Sequence, residues 1–236
     1  MTLTELITLT KQALGNRVSA LLTDSWYTER INNAYRRLCT FQGMVTRPGV
    51  TQPQFRVLRF FELEDRTTQS LGTSLVSNFV TPATPTDGTV FVVQDVFDRT
   101  NDRGLRREPL RTLRRMDPDY TGAPRMWCPA GQGGGMGYYI YPRPGSTADA
   151  ISVYEYIYKY PANLTGTATP VIPVNWHDAI WMGASADGAR LIDDTQRAEE
   201  LEGRFLAFIA ERKSPHEEAS YGGLSGARRT VRVGLR

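Results

Sequence analysis

The sequence predicts an α+β fold: a four-helix bundle drawn from the N- and C-terminal segments, an inserted antiparallel β domain, and an extended C-terminal arm. Three observations predict it. Apolar residues recur at helical spacing over 1–43 and 174–213. Prolines, glycines and short β-branched or aromatic runs fill 44–173. From 214 onward the chain turns Gly-rich and basic. With 236 residues, 40% hydrophobic and 22% charged, it has the composition of an ordinary folded protein rather than a rod or a disordered chain.

Thr2 and Glu5 offer a capping box for a first helix, with Leu3, Leu6, Ile7, Ala13 and Leu14 near one face before Gly15. A second helix is clearer. Asp24 can cap it, and Tyr27, Ile31, Ala34, Leu38 and Phe41 make the apolar stripe, leaving Glu29, Asn32, Asn33, Arg36 and Arg37 for the polar side. In the β-rich part the strand candidates are 55–63, 74–80, 89–97, 137–141 and 150–160. The last alternates Ile151, Val153 and Ile157 with Tyr154, Tyr156, Tyr158 and Tyr160. Plain sheet packing is the first reading of those tyrosines, and a wet or subunit-facing ladder the second. After Pro173, Asn175 can cap a third helix carrying Trp176, Ile180, Gly183, Ala184 and Leu191. A fourth begins near Asp194 with Ala198, Leu201, Phe205, Phe208 and Ile209 on one face, ending before Ser214-Pro215. None of the four helices can bury its apolar face alone, so they are expected to pack together, giving domains at 1–43 with 174–213, 44–173 and 214–236.

Charge and motifs narrow the function. Basic and acidic residues balance over 1–212, so the net charge of +3 comes from Lys213, Arg228, Arg229, Arg232 and Arg236 against Glu217 and Glu218. Only Lys11, Lys159 and Lys213 are lysines; arginine supplies the rest, a side chain suited to bidentate pairing at interfaces or with phosphate. Cys39 and Cys128 lack zinc or disulfide spacing, and neither a membrane span nor a signal peptide is read at the N-terminus, so an intracellular soluble product is expected. No cofactor or metal is expected.

Enzyme chemistry finds little to use. His177 and His216 are the two imidazoles, the first read as a surface or cap residue and the second lying in the tail. The pairs Asp193-Asp194 and Glu199-Glu200 fall at a helix junction and first turn, where the dipole favours them. The Gly131–Gly137 run precedes a strand instead of linking a strand to a helix, so it is a loop, passive or ordered by a partner, rather than a phosphate cradle. Arg99, Arg103, Arg106, Arg107, Arg111, Arg114 and Arg115 form the densest basic run, opposed by Asp102 and Glu108. Subunit salt bridges or a solvated face are read ahead of nucleic-acid contact, because no aromatic residues interleave. In the tail a Gly-rich tether, 222–226, leads to Arg228–Arg236, which alternates like a lone strand. It can add to another chain's sheet or stay a disordered basic tail.

The order of these features resembles the head-to-tail adaptor (connector) proteins of tailed bacteriophages. Carrying the resemblance are Trp26–Arg37 with its Asn32-Asn33-Ala34-Tyr35 core, Gly122-Ala123-Pro124-Arg125-Met126 and the strand Tyr138–Pro142, then Val171–Ile180, and finally the C-terminal arm. The resemblance implies a structural virion protein at the head-tail interface, assembled in the host cytoplasm, with no catalytic residues. It implies a ring of about twelve subunits docked on the portal protein, with a downstream tail or neck protein below and genome DNA passing through without sequence-specific binding. No membrane is involved. The portal-binding residues it implies are Tyr221, Leu224, Arg228, Arg229, Val231, Arg232, Val233, Leu235 and Arg236, and subunit or DNA contacts fall to Arg103, Arg106, Arg107, Arg111, Arg114 and Arg115. A tail-tube gatekeeper or tail-completion ring is the alternative, and a peptidoglycan-cleaving tail enzyme using paired carboxylates a more distant one.

Overall fold

The computed structural model describes all residues except 17–20, 47–51, 74, 76, 86, 133–134 and 213–236. By contacts the chain falls into two units, one of residues 1–61 with the chain from Leu164 onward, the other Glu62–Asn163. The expected arm lies outside the described residues.

In the first unit, helix α1 (Leu3–Ala13) opens with the expected capping box: Thr2 N–H donates to Glu5 Oε2 at 2.8 Å and Glu5 N–H to Thr2 Oγ1 at 3.3 Å. Helix α2 (Asp24–Cys39) is capped one residue earlier than expected, by Thr23 Oγ1 accepting from Trp26 N–H. Asp24 is thereby released to pair with Lys11 of α1 at 2.7 Å. A short hairpin follows, β1 (Gln42–Val45) against β2 (Gln54–Val57). The unit resumes after Leu164 with a 3-10 turn over Val174–Trp176, the helix α4 (His177–Leu191) and the helix α5 (Thr195–Glu211), whose N-cap is Asp194.

The α+β class holds; the four-helix bundle does not. A bundle sets amphipathic helices around a shared axis. Here α4 takes the centre itself, buried on several sides through Ala179, Ile180, Gly183, Ala184, Ala186, Gly188 and Ala189. Helix α1 packs on α2 and α4, whereas α5 lies against α4 and the β1 strand. Small side chains make the close approaches possible. A Cβ at Gly188 would sit 2.6 Å from Leu14 Cδ1, and one at Gly183 would sit 3.3 Å from Ala34 Cβ. A further short helix, α3 (Leu110–Leu113), belongs to the other unit.

Asn32, expected on the polar side, is buried instead. Its Oδ1 accepts from Leu164 N–H at 2.7 Å, and its Nδ2 donates to Leu164 O at 3.2 Å and Thr28 O at 3.0 Å. One turn on, the Tyr35 hydroxyl accepts from Val171 N–H at 3.0 Å. Two α2 side chains thus satisfy the irregular backbone of the returning chain, which has no ladder of its own there.

The second unit is a pair of four-stranded sheets. One has the order β3 (Glu64–Leu71), β10 (Ile151–Tyr160), β5 (Thr89–Asp98), β6 (Arg103–Gly104). The other runs β4 (Phe79–Val80), β9 (Gly135–Tyr141), β8 (Met126–Gln132), β7 (Arg106–Arg107). All pairings are antiparallel except β7 with β8. The core combines Leu71, Val93, Val96, Ile151, Val153 and Ile157 of the first sheet with Val80, Trp127, Tyr138 and Ile140 of the second. Strand β3 was not expected. Its sequence, Glu-Asp-Arg-Thr-Thr-Gln-Ser-Leu, has little apolar signal, and the predicted 55–63 strand stops at Val57 before a 3-10 turn at Phe61–Leu63. Strand β8 was hidden by Pro129. It lies past the two residues that β7 pairs, where a missing N–H leaves the ladder intact.

Strand β10 carries the unit's central polar feature. Glu155 shares the face of Ile151, Val153 and Ile157 and is fully buried. Its carboxyl oxygens accept from Thr67 Oγ1 (2.8 Å), Ala83 N–H (2.9 Å) and the Tyr138 hydroxyl (2.7 Å). Burial first, then the Glu155 charge and hydrogen bond, push the Tyr138 hydroxyl far above the ordinary phenol range, so it remains a donor. The tyrosines of β10 divide: Tyr158 is buried, Tyr156 is exposed, and the Tyr154 ring lies under the guanidiniums of Arg66 and Arg99 at 4.5 and 5.4 Å. Register shifts against β5 after Tyr156 and Tyr158 break the expected simple alternation.

Three substitutions should separate these supports. Asn32→Ala leaves both Leu164 backbone groups unpaired and should cost about 2 kcal/mol in urea unfolding, at the buried-orphan scale of roughly 1–3 kcal/mol. Tyr138→Phe removes one donor from a carboxylate that retains two, and should destabilise less than Glu155→Ala, which orphans Tyr138, Thr67 and Ala83 together.

Candidate functional site

The basic run expected to make contacts lies in the second unit, on the stretch from the end of β5 to α3. Asp98 closes β5 and is fully buried. It accepts from Asn101 N–H (3.1 Å), Asn101 Nδ2 (2.7 Å) and Arg103 Nε (3.2 Å). Asp102 takes the left-handed conformation, φ +50°, that the tight β5–β6 connection requires. Arg103 also donates to Pro124 O at 3.2 Å. Next along the chain, Arg106 pairs with Glu108, and the Arg107 guanidinium stands over the Trp127 ring at 5.5 Å. These three arginines fasten the turn and β7 to the sheet.

The other three differ. Pro109 starts α3, Leu113 points into the protein, and Arg111, Arg114 and Arg115 are exposed. Among the described residues no ion pair engages them. Sequence reasoning treated the six arginines as one cluster. All six are exposed; the fold sorts them by partner, three with acidic or aromatic partners within the chain and three that no ion pair engages among the described residues. The signal that could have found this is Glu108 two residues from Arg106, and Asp98 five from Arg103.

The portal-binding residues expected in the tail, Tyr221 to Arg236, lie outside the described residues, as does His216. No described group of three or more His, Cys, Asp or Glu residues could hold a metal ion. Cys39 and Cys128 are separate, buried thiols, and burial raises the Cys128 pKa against the opposing pull of Arg107. Among the carboxylate pairs, Asp194 caps α5 by accepting from Arg197 N–H, and Glu200 pairs with Arg197 and Arg204. Asp194 is spent on the cap as expected, whereas Glu199 and Glu200 lie past the first turn of α5 and Glu200 is held by arginine pairs rather than by the helix dipole. The glycine run expected as a loop falls largely within strands, with Gly131 and Gln132 ending β8 and Gly135 to Gly137 opening β9, and a Cβ at Gly137 would meet Val80 O at 2.5 Å, so that glycine admits β4. No described helix is long and apolar enough to cross a membrane.

His177 departs from its expected surface position. It is 2% exposed, with Nε2–H donating to Ile172 O at 2.9 Å and Nδ1 accepting from the Met1 α-amino group at 3.0 Å. Burial lowers its pKa; the bond to Ile172 partly offsets this, and the nearby α-amino charge adds to it. The unfolded imidazole protonates near pH 6.5, about the ordinary value of a free histidine side chain. The folded one protonates only below that, so the unfolded state binds more protons in between. Stability should therefore be full above about pH 6.5 and fall as pH drops toward the folded pKa, by at most about 1.4 kcal/mol per pH unit. Urea midpoints measured from pH 7.5 to 5 should show this slope, and His177→Gln should flatten it.

A family model described as SU10 adaptor protein matches residues 1–232. Among curated proteins no match is found.

Proposed function

The chain belongs to the SU10 adaptor protein family, and on that premise we propose that it forms the head-to-tail adaptor ring of a tailed phage. Membership makes it a phage structural protein and a component of the virion. The finer reading is a cyclic ring of about twelve copies that docks on the portal protein, receives the next tail or neck protein, and lets genome DNA through without reading its sequence. The observation that carries this reading is the family match over nearly the whole chain. The ring is supported by the β1–β2 hairpin, where Met44 and Phe55 are register partners on an exposed face with Val57 beside them. Such contiguous apolar exposure suits a subunit contact.

Residues 221–236 are proposed as the portal-binding arm. Val231, Val233 and Leu235 alternate with Arg232 and follow Arg228 and Arg229, so a strand added to a portal sheet edge would place apolar and basic side chains on opposite faces. Each arm alone would bind weakly, because ordering it costs free energy; a ring presents many at once and the second contact becomes intramolecular.

Light scattering on a sizing column tests the reading. The full chain mixed with its portal ring should elute with a ring-sized mass increase, and the chain truncated after Glu218 should leave portal unshifted. Unchanged binding by the truncated chain would remove the arm from the proposal, and no binding by the full chain would remove the adaptor assignment at portal.

A further inference from the structure

The β1–β2 hairpin of the first unit leaves a strand edge and an apolar face uncovered among the described residues. It is a sheet of two strands only. Leu58 N–H donates to Phe41 O at 3.0 Å, and this sets the phase of the ladder: Phe55 and Val57 turn their peptide N–H and C=O groups away from β1. Their side chains share a face with Met44, and all three are exposed, Phe55 at 64%. Arg56, between them, points the other way, is buried, and donates from Nη1 to Arg212 O at 2.6 Å. Strand β2 thus runs apolar, buried, apolar along an unpaired edge, and the C-terminal segment of the chain starts beside it.

We propose that residues 233–235 of the same chain add to this edge as a third strand, so that the arm is parked on its own hairpin until portal takes it. Position, sequence and edge select this occupant. Arg212 is held at the middle of β2, and an unstructured chain as long as 213–232 spans about 25 Å on average, against roughly 13 Å for a four-residue strand. Linkage within one molecule gives an effective concentration on the order of millimolar, which no free partner matches in dilute solution. Val233, Gly234 and Leu235 repeat the order of Phe55, Arg56 and Val57. Antiparallel pairing sets Val233 beside Val57 and Leu235 beside Phe55 on the apolar face. It also sets Gly234, which has no side chain, beside Arg56 on the face where β2 is buried, the kind of close approach that a strand glycine permits. The edge of β1 is a poorer match, because Gln42 and Met44 alternate there. A two-stranded sheet is also marginal by itself and gains from a third strand. The consequence for assembly rests on the portal-arm reading: release of the arm to portal bares Met44, Phe55 and Val57 for subunit contact, so rings form at portal and not before.

Amide hydrogen exchange, read residue by residue by NMR on the free protein, tests the parked strand. In the full chain Phe55 and Val57 should exchange roughly tenfold more slowly than in the chain truncated after Glu218, the factor for an edge paired about nine-tenths of the time. The difference should persist on tenfold dilution, because the pairing lies within one molecule. Gly234→Val should abolish it, although valine is the better strand former. A peptide of residues 222–236, added to the truncated chain at a concentration on the order of millimolar, should restore the slowing. Exchange at Ala184 in α4 is the control for an intact fold. Equal rates in the full and truncated chains would overturn the proposal, as would a peptide without effect. So would slowing that fades on dilution, which assigns the edge to a second copy, or slowing that survives Gly234→Val, which assigns it to another part of the tail. Failure of portal binding in the light-scattering measurement would remove the assembly consequence and leave the parked strand standing.

Discussion

Glu155 sits in the middle of β10 with no water-exposed surface, and a buried carboxyl group that lost its hydrogen bonds would cost the β unit more than most single apolar contacts return. Its three donors come from β3, from the loop before β5 and from β9. Satisfying it therefore requires both sheets to be present and in register at the same time. The Tyr138 hydroxyl is the donor that crosses between the sheets, and its raised pKa keeps the proton there over the usual pH range. Apolar packing of Val96, Val153, Ile157 and Trp127 supplies the bulk of the burial, but many arrangements of such residues are close in energy. The Glu155 node distinguishes among them, because a one-residue slip of β10 would move the carboxyl group to the other face.

The first unit solves a different problem with the same logic. Helix α4 is hydrophobic on too many sides to be a surface helix and too small in side chain to hold its neighbours apart. Leu14, Ala34 and Phe205 consequently approach its glycines directly. The chain that returns after Leu164 has no regular structure to satisfy its peptide groups, and Asn32 and Tyr35 do so from α2. These residues belong to the Asn-Asn-Ala-Tyr run that marked the family resemblance, so part of what that run encodes is the anchoring of a returning segment.

Structural virion proteins work by presenting surfaces, and here the division of the arginines is instructive. Arg103, Arg106 and Arg107 build the turn and strand that carry α3, while Arg111, Arg114 and Arg115 are what that scaffold displays. An arginine in a run is thus either a fastener or a contact, depending on whether an acid or aromatic side chain lies within its reach. The exposed hairpin face of Met44, Phe55 and Val57 adds an apolar surface in the other unit. Charged and apolar display on one chain fits a protein with more than one neighbour.

Much of the outline was legible in the sequence because it depends on local chemistry. The Thr2 and Glu5 cap, the stripe Tyr27-Ile31-Ala34-Leu38, the Asp194 cap and the long strands at β5 and β10 follow from residues a few positions apart. So did the α+β class and, through the order of its motifs, the adaptor family. The bundle was misread because the stripe of small residues on α4 looks the same in a bundle helix as in a central one; only its neighbours decide which. Strand β3 was missed because its partner β10 stabilises it, not its own composition, and β8 because Pro129 is tolerated only where no neighbouring strand needs its N–H. Asn32 and His177 read as surface residues, and Glu155 gives no sign of its role, until the groups that satisfy them, up to 176 residues away, are in place. Burial of a polar side chain is a property of its partners, and the sequence by itself does not bring those partners together.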